Sequence, residues 1–206
     1  RNLYEIIVQL AAILAVVFLY WKKFFDFKNI RFYVKLIIAV IPALIFGALL
    51  KKHIDSMLSN LAFIALVMIA GGVILLFTDK LFTKNKIDTD EKIDYLTSFK
   101  IGLFQVLSIL FPGLSRSAAT IIGGMSIGLN KRTAAEFSFF LAVPTMLAAS
   151  AKSTLDVIQE GSVSFGSNEI IIMAVGCFIS FIVALAAVKS FIEIIQKFGF
   201  RFFGIY

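Results

Sequence analysis

One short segment of the chain combines an arginine with three hydroxyl side chains in an otherwise uncharged stretch. Arg116 is the only charged residue between positions 101 and 130. A charge in mid-bilayer costs about 2.5–3.5 kcal/mol on insertion scales, so it usually marks a functional site. A guanidinium binds phosphate oxygens through its charge and its paired N–H donors. The segment therefore predicts an anion site suited to phosphate, formed by Arg116 with the nearby hydroxyls of Ser115, Ser117 and Thr120.

The backbone that carries these side chains is predicted to break between two short helices. The uncharged stretches 101–115 and 117–130 would each extend only about 22 Å as a helix, which is less than a hydrocarbon core of roughly 30 Å. Pro112 and Gly113 would end the first helix. The second helix would then begin near Arg116 and direct unpaired N–H groups and the positive end of its dipole at a bound anion.

Arg116 also has simpler explanations. It could extend to the membrane surface or pair with a carboxylate to fix packing, and Ser115 or Ser117 could only cap the second helix. We favour the functional interpretation because broken backbone inside a membrane is tolerated chiefly where it lines a protein or water-filled cavity. A capping serine and a phosphate ligand need the same orientation, so both roles are compatible.

Few other polar side chains lie close to the apolar segments. Gln105, seven residues before Pro112, could form hydrogen bonds within the cavity. Glu5 and Glu136 lie at the edges of apolar helices, and each could pair with Arg116, hold a metal ion or lie at the membrane interface. The residues alone leave these alternatives open. His53, the only histidine, lies in a polar loop and is predicted to be solvated.

The composition indicates a polytopic, all-α membrane protein. Hydrophobic residues make up 60% of the chain and charged residues 16%, and mean hydropathy is +0.95. A soluble domain has about a quarter charged residues. The net charge of +7 falls largely between apolar segments, as membrane topology requires, so we expect no nucleic-acid partner. Five uncharged runs predict spans: 6–21, 36–50, 61–77, 137–151 and 170–188.

The two short helices could form a re-entrant hairpin or one broken span. A hairpin would put 15 basic residues on one face of the membrane and four on the other, whereas a broken span would divide them 11 to eight. Cytoplasmic loops carry the excess of Lys and Arg, so the charge distribution favours a hairpin based at the cytoplasm with its tip pointing outward.

A weak internal repeat agrees with that topology. Residues 4–13 (YEIIVQLAAI) resemble residues 135–144 (AEFSFFLAVP), which aligns Glu5 with Glu136. In the hairpin topology the two segments run in opposite directions across the membrane, as an inverted-topology repeat requires. We expect residues 1–206 to form a single membrane domain and to be an interior piece of a longer protein.

The sequence around Arg116 resembles one enzyme family. The segments FPGLSRSAAT (111–120) and IIGGMSIGLNKRTAAEFSFFLAVPTM (121–146) are similar to those of the undecaprenyl-diphosphate phosphatases, also called bacitracin-resistance proteins. The similarity extends along essentially the whole chain and includes VQLAAILAVVFLYWKK (8–23).

The resemblance implies a bacterial inner-membrane enzyme that removes the terminal phosphate of a C55 prenyl diphosphate, recycling the lipid carrier of cell-wall synthesis. It implies that Arg116 grips the diphosphate and that Ser115, Ser117 and Thr120 line the phosphate pocket. Gly113 would let the backbone approach the phosphate closely, and Pro112, Gln105 and Glu136 are also predicted to bind the substrate. The fold of the family implies two re-entrant hairpins and a site that opens outward.

The resemblance also implies a divalent cation, Mg²⁺ or Ca²⁺. The family's acidic E-x-x-x-E motif and its SS-x-GH motif are not found in this chain, and we expect them, with the first hairpin and the last helix, to lie outside it. The metal ligands are therefore unknown, and this piece alone is expected to be inactive. The oligomeric state stays open, with a homodimer among the alternatives.

A transporter or flippase for an anionic lipid or another anionic substrate is the main alternative function. Inverted repeats, broken helices and a polar site near the midplane are typical of secondary transporters. A purely structural membrane subunit would leave Arg116 and its hydroxyl neighbours unexplained. Release of inorganic phosphate separates the phosphatase from the transporter.

Overall fold

The computed structural model describes residues 3–50, 57–58, 60–83, 86–159 and 167–205. This part of the chain is helical, and its β-type pairing consists of one isolated bridge between Ile87 and Leu129. The prediction of an all-α fold is confirmed. The helices are α1 Leu3–Leu19, α2 Trp21–Phe24, α3 Ile30–Leu49, α4 Leu61–Leu81, a 3-10 turn Asp90–Lys92, α5 Tyr95–Leu110, α6 Arg116–Ser126, α7 Lys131–Gln159, α8 Ser167–Phe198 and α9 Arg201–Ile205.

Four of the described helices are long and apolar enough to cross a membrane: Ile30–Leu49, Leu61–Leu81, Lys131–Lys152 and Ile171–Phe198. They contain the predicted spans 36–50, 61–77, 137–151 and 170–188 apart from single terminal residues. The fifth predicted span, 6–21, falls on α1, which has 17 residues and is shorter than the other four. The chain is a multi-pass membrane protein.

Side-chain caps determine where several of these helices begin. Asn29 accepts a hydrogen bond from the backbone N–H of the third residue of α3, and Asn60 does the same for α4. Asp94 accepts from the N–H of Thr97 at 2.7 Å at the start of α5. Asn130 accepts from the N–H of Thr133 at 2.7 Å at the start of α7. Each cap satisfies an N–H that the helix itself leaves unpaired.

The chain divides into two compact units. The first comprises residues 1–28 and 142–191, and the second comprises residues 29–141 and 192–206. In the first unit α1 packs on α8, where the Ser180 hydroxyl donates to the Val8 carbonyl at 3.0 Å. The prediction of a single membrane domain stays a prediction.

Glycines allow close helix packing in the second unit, which contains the predicted site. Gly102 on α5 lies directly against the backbone of Ala39 on α3, where any side chain would collide. Gly72 on α4 and Gly204 on α9 meet in the same way. The helices α5 and α6, with the turn between them, form a helical hairpin spanning residues 95–126.

Candidate functional site

The two helices of the hairpin are separated at the position where the sequence predicts a break. Helix α5 ends at Leu110, and α6 begins at Arg116. The connecting turn is closed by a hydrogen bond from the Leu114 N–H to the Phe111 carbonyl at 3.0 Å. Pro112, which lies in this turn, is buried. The Pro112–Gly113 pair therefore ends the first helix as its sequence predicts.

Gly113 occupies the tip of the hairpin in a conformation that favours glycine. Its φ angle is +103°, in the left-handed region that other residues rarely adopt. A Cβ atom at this position would also lie 2.6 Å from the carbonyl oxygen of Ile64 on α4. The backbone at Gly113 therefore approaches α4 closely. Its predicted close approach to a phosphate stays a prediction.

The N-terminus of α6 carries the first three predicted site residues. Ser115 is the capping residue, since its Oγ accepts a hydrogen bond from the Ala118 N–H at 3.3 Å. Arg116 and Ser117 follow in the first turn, and both are half-buried. The Nη1 atom of Arg116 is buried. Ser115, Arg116 and Ser117 thus lie together at the positive end of one helix, which suits an anion.

Thr120 lies one turn further into α6 and faces the protein interior. It is only 2% exposed. Its Oγ1 lies 3.0 Å from the Arg116 carbonyl and 3.1 Å from the Ser117 carbonyl. The same atom lies 2.7 Å from the hydroxyl oxygen of Ser138 on α7. The Thr120 hydroxyl therefore joins α7 to the first turn of α6, and direct contact with a phosphate stays a prediction.

The remaining predicted residues, Gln105 and Glu136, lie further from the hairpin tip than the α6 N-terminus does. The side chain of Phe104 packs on Gly123, and Ala134 lies against Gly124, so these contacts set the register of α6 with α5 and α7. In this register Gln105 and Glu136 are both level with Ile122, which is six residues from Arg116, or about 9 Å along a helix. Gln105 and Glu136 therefore lie at one level along α6, and the α6 N-terminus lies at another, nearer the hairpin tip.

Gln105 and Glu136 have different surroundings. Gln105 is 1% exposed on α5. The Glu136 carboxylate accepts a hydrogen bond from the Arg132 Nε at 2.9 Å, one turn away on its own helix. Glu136 thus pairs with Arg132, a partner that the predicted alternatives did not include. Glu5 belongs to the other compact unit.

A comparison with known protein families identifies the family of this chain. The family model described as "Bacitracin resistance protein BacA" matches residues 1–206. The chain belongs to this family.

Relatives named "Undecaprenyl-diphosphatase" match nearly the whole chain. The one from Flavobacterium johnsoniae is 47% identical over 206 residues, which cover 100% of this chain and 76% of the relative. Those from Porphyromonas gingivalis and Bdellovibrio bacteriovorus are each 42% identical, with 98% of this chain covered and 77% and 75% of the relatives. The sequence-based assignment to the bacitracin-resistance family is confirmed.

The described residues of this BacA-family chain do not form a divalent-cation site. No three His, Cys, Asp or Glu side chains among them lie close enough together to hold a metal ion. Two half-buried acids are engaged elsewhere: Glu136 pairs with Arg132, and Asp79 pairs with Lys131 at 2.7 Å. His53, predicted to be solvated, lies outside the described residues. The divalent cation implied by the resemblance therefore stays a prediction.

The base of the hairpin is held by contacts that the sequence did not reveal. The carbonyl of Gly128 accepts from the N–H groups of Lys86 and Ile87 at 2.9 and 3.0 Å. Asp79, at the end of α4, accepts from the Phe200 N–H at 2.7 Å as well as pairing with Lys131. These contacts join segments that are far apart in sequence, and no local pattern identifies such partners.

Ser138 is the other residue that sequence reasoning missed. It lies in the apolar segment EFSFFLAVP between Phe137 and Phe139, and it is 3% exposed. A serine within an apolar helix must find a hydrogen-bond partner when it is buried. That isolated polar position was the available signal, although it does not identify Thr120 as the partner.

Proposed function

We propose that this chain carries the phosphate-binding half of an undecaprenyl-diphosphate phosphatase. The reaction is hydrolysis of the terminal phosphate of a C55 prenyl diphosphate, which yields inorganic phosphate and the prenyl monophosphate. The observation that carries the proposal is the N-terminus of α6, where Ser115, Arg116 and Ser117 lie together. The relatives named for this activity support it.

Arg116 supplies the main positive charge. In phosphoryl transfer negative charge spreads over the oxygens of the transferred group, so catalysis depends chiefly on positioning and charge neutralisation. The guanidinium offers two parallel N–H donors to these oxygens. The positive end of the α6 dipole adds to the same field.

Ser115 can donate to the diphosphate while it caps the helix. Its oxygen accepts from the Ala118 N–H at 3.3 Å, so its single proton remains available to an anion. Ser117, half-buried in the first turn, has the same donor.

The overall hydrolysis consumes one water molecule. Attack at the terminal phosphorus forms one P–O bond and breaks the bridging P–O bond, and the bridging oxygen leaves with the prenyl monophosphate. Positive charge at the α6 N-terminus stabilises the charge that develops during this exchange. We also expect a divalent cation, which would neutralise further charge on the phosphates; the described residues contain no group of three His, Cys, Asp or Glu side chains that could hold it.

The hairpin is proposed to be re-entrant, with its base at the cytoplasm and its tip facing outward. Helix α5 has 16 residues and α6 has 11, so they extend only about 24 and 16 Å, less than a hydrocarbon core. The excess of basic residues on the face of the hairpin base supports this orientation. The enzyme would lie in the bacterial inner membrane, where its lipid substrate is found.

Phosphate release tests the proposed function. The intact protein is purified in detergent and incubated with undecaprenyl diphosphate, once with Mg²⁺ or Ca²⁺ and once with a chelator. We expect equimolar inorganic phosphate and prenyl monophosphate, and loss of activity with the chelator. Binding of the lipid without release of phosphate under any condition would contradict the proposal and favour the transporter.

A further inference from the structure

One buried hydroxyl pair joins α7 to the first turn of α6. The side-chain oxygens of Ser138 and Thr120 lie 2.7 Å apart. Both residues are almost fully buried, at 3% and 2% exposure. Helices α6 and α7 run antiparallel on either side of a short connection, so this contact lies one turn below Arg116, at the start of α6.

The supply of protons fixes the direction of this hydrogen bond. A threonine hydroxyl has one proton and two acceptor lone pairs. The Thr120 oxygen lies within hydrogen-bond distance of the carbonyls of Arg116 and Ser117, which can only accept. The proton of Thr120 is therefore used on those carbonyls, a pattern common for threonine in helices. On distance alone either hydroxyl of this pair could be the donor, and with the Thr120 proton used in this way Thr120 accepts from Ser138.

The result is a chain of hydrogen bonds from α7 to the backbone of the anion-binding turn. It runs from the Ser138 hydroxyl to the Thr120 hydroxyl and on to the carbonyls of Arg116 and Ser117. The neighbours of Ser138 hold its helix firmly, since Phe137 and Phe140 are 1% and 0% exposed. A helix segment with two fully buried phenylalanines is thus connected to the turn that carries the predicted anion site.

We propose that Ser138 is a positioning residue. Its hydroxyl holds the first turn of α6 through Thr120 and so sets the orientation in which Arg116 and the first N–H groups meet a diphosphate. Ser138 does not touch the substrate. This inference rests on the proposed function for its catalytic consequence, although the effect on anion binding can be measured separately.

The test measures binding of inorganic pyrophosphate to the intact protein in detergent by calorimetry, and the KM for undecaprenyl diphosphate in parallel. Reversible unfolding would raise the apparent Kd or KM tenfold only if about nine-tenths of the protein were unfolded, and thermal unfolding of each variant checks that the assay temperature lies well below its midpoint. The variants are Ser138→Ala, Thr120→Val and the double substitution. Thr120→Val keeps the side-chain shape, so it provides a second route if Ser138→Ala folds poorly.

Ser98→Ala is the matched control. Ser98 is also fully buried in a helix of the same unit, and its hydroxyl donates to the Asp94 carbonyl at 2.9 Å within α5. The control therefore removes a buried helical hydroxyl without touching α6. We expect its pyrophosphate Kd to stay within about twofold of the parent value, since it leaves the α6 N-terminus in place.

We expect Ser138→Ala to raise the pyrophosphate Kd and the KM together by about 10-fold, because small misplacements of binding groups have large effects. Thr120→Val should have at least this effect, and the double variant should be no worse than Thr120→Val, since both substitutions break one chain of hydrogen bonds. A Ser138→Ala variant whose Kd matches that of Ser98→Ala would overturn the inference.

The two proposals fail in different ways. A parent that binds pyrophosphate but releases no phosphate from the lipid contradicts the proposed function, and the Kd values still decide the role of Ser138. A parent that hydrolyses the lipid while Ser138→Ala binds pyrophosphate normally contradicts the positioning role alone. A parent that does not bind pyrophosphate contradicts both.

Discussion

Gly113 has two separate reasons to be a glycine. Its φ of +103° is unfavourable for any residue with a Cβ atom, and a Cβ would press on the Ile64 carbonyl at 2.6 Å. Both effects concern the tip of the hairpin and its contact with α4. The motif residue that the resemblance links to substrate is thus also required by the fold.

Gly113→Ala is expected to destabilise the protein. The left-handed backbone alone costs about 1–2 kcal/mol, which corresponds to a fall of about 2–8 °C in the unfolding midpoint for a protein of this size. The control is Gly47→Ala, because the nearest atom to a Cβ there is 3.9 Å away. In thermal unfolding in detergent, the midpoint of Gly47→Ala should be equal to or above that of the parent. Equal midpoints for the two variants would show that the tip tolerates a side chain.

At the same scale, the sequence predicted the local backbone at the hairpin tip better than the packing around it. The charge pattern and the helix breakers located Arg116 and the new helix start, because both are local properties of the chain. The interior orientation of Thr120 depends on its contact with Ser138, 18 residues away. Pairing of that kind is decided by tertiary register, which no local pattern contains.

At the level of elements, α5 depends on a single charged cap. Asp94 accepts hydrogen bonds from Thr97, and this interaction with the Thr97 side chain and backbone N–H lowers the pKa of the Asp94 carboxyl below its ordinary value of 3.8. The ionised carboxylate also interacts favourably with the positive end of the helix dipole. The start of the hairpin is therefore fixed by one acidic residue outside the membrane-spanning segments.

Asp94→Ala is expected to cost about 1 kcal/mol of stability at neutral pH, the usual value for loss of a helix cap. Because the pKa is lowered in the folded state, this contribution is present above the unfolded-state pKa and is lost as the pH falls through the folded-state value. Unfolding midpoints of variant and parent should therefore converge in acid.

Asp88→Ala serves as the comparison for this prediction. Asp88 forms an exposed ion pair with Lys92 at 2.8 Å, and such pairs contribute little. A neutral-pH loss in Asp88→Ala equal to that of Asp94→Ala, or a gap between Asp94→Ala and parent that persists in acid, would contradict the capping role.

The four long apolar helices were predictable from the sequence because uncharged runs of membrane length are a strong signal. The exact ends were not, since caps such as Asn29 and Asn130 add polar residues to the helices that follow. The short helix α6 was recognised through Pro112 and Gly113. The contacts at the hairpin base, such as Asp79 with Lys131, were not predictable because they join distant segments.

At the scale of the whole molecule, the topology of the hairpin decides where the site opens. A re-entrant hairpin puts residues before and after it on the same side of the membrane, whereas a broken span puts them on opposite sides. Lys92 precedes α5, and Ser126 ends α6; both are exposed. Whether Lys92 and Ser126 lie on the same side of the membrane or on opposite sides therefore distinguishes the two topologies.

Single-cysteine labelling in whole bacterial cells tests this topology. Lys92→Cys and Ser126→Cys are made in a Cys177→Ser background, since Cys177 is the only native cysteine. A membrane-impermeant thiol reagent should label both positions only after the inner membrane is permeabilised. Labelling of Ser126→Cys but not Lys92→Cys in intact cells would indicate a broken span instead.

The N-terminus of α6 is proposed to bind the phosphate that is transferred, and Arg116→Ala tests this role most directly. Arg201→Ala is the matched control, because Arg201 is also the first residue of a helix in the same unit and is exposed. The measurement is kcat/KM for phosphate release from undecaprenyl diphosphate by the intact protein. We expect Arg116→Ala to lose at least about 100-fold, as for removal of a main oxyanion donor, and Arg201→Ala to stay near the parent. Equal activity of Arg116→Ala and the parent would contradict the assignment of the site.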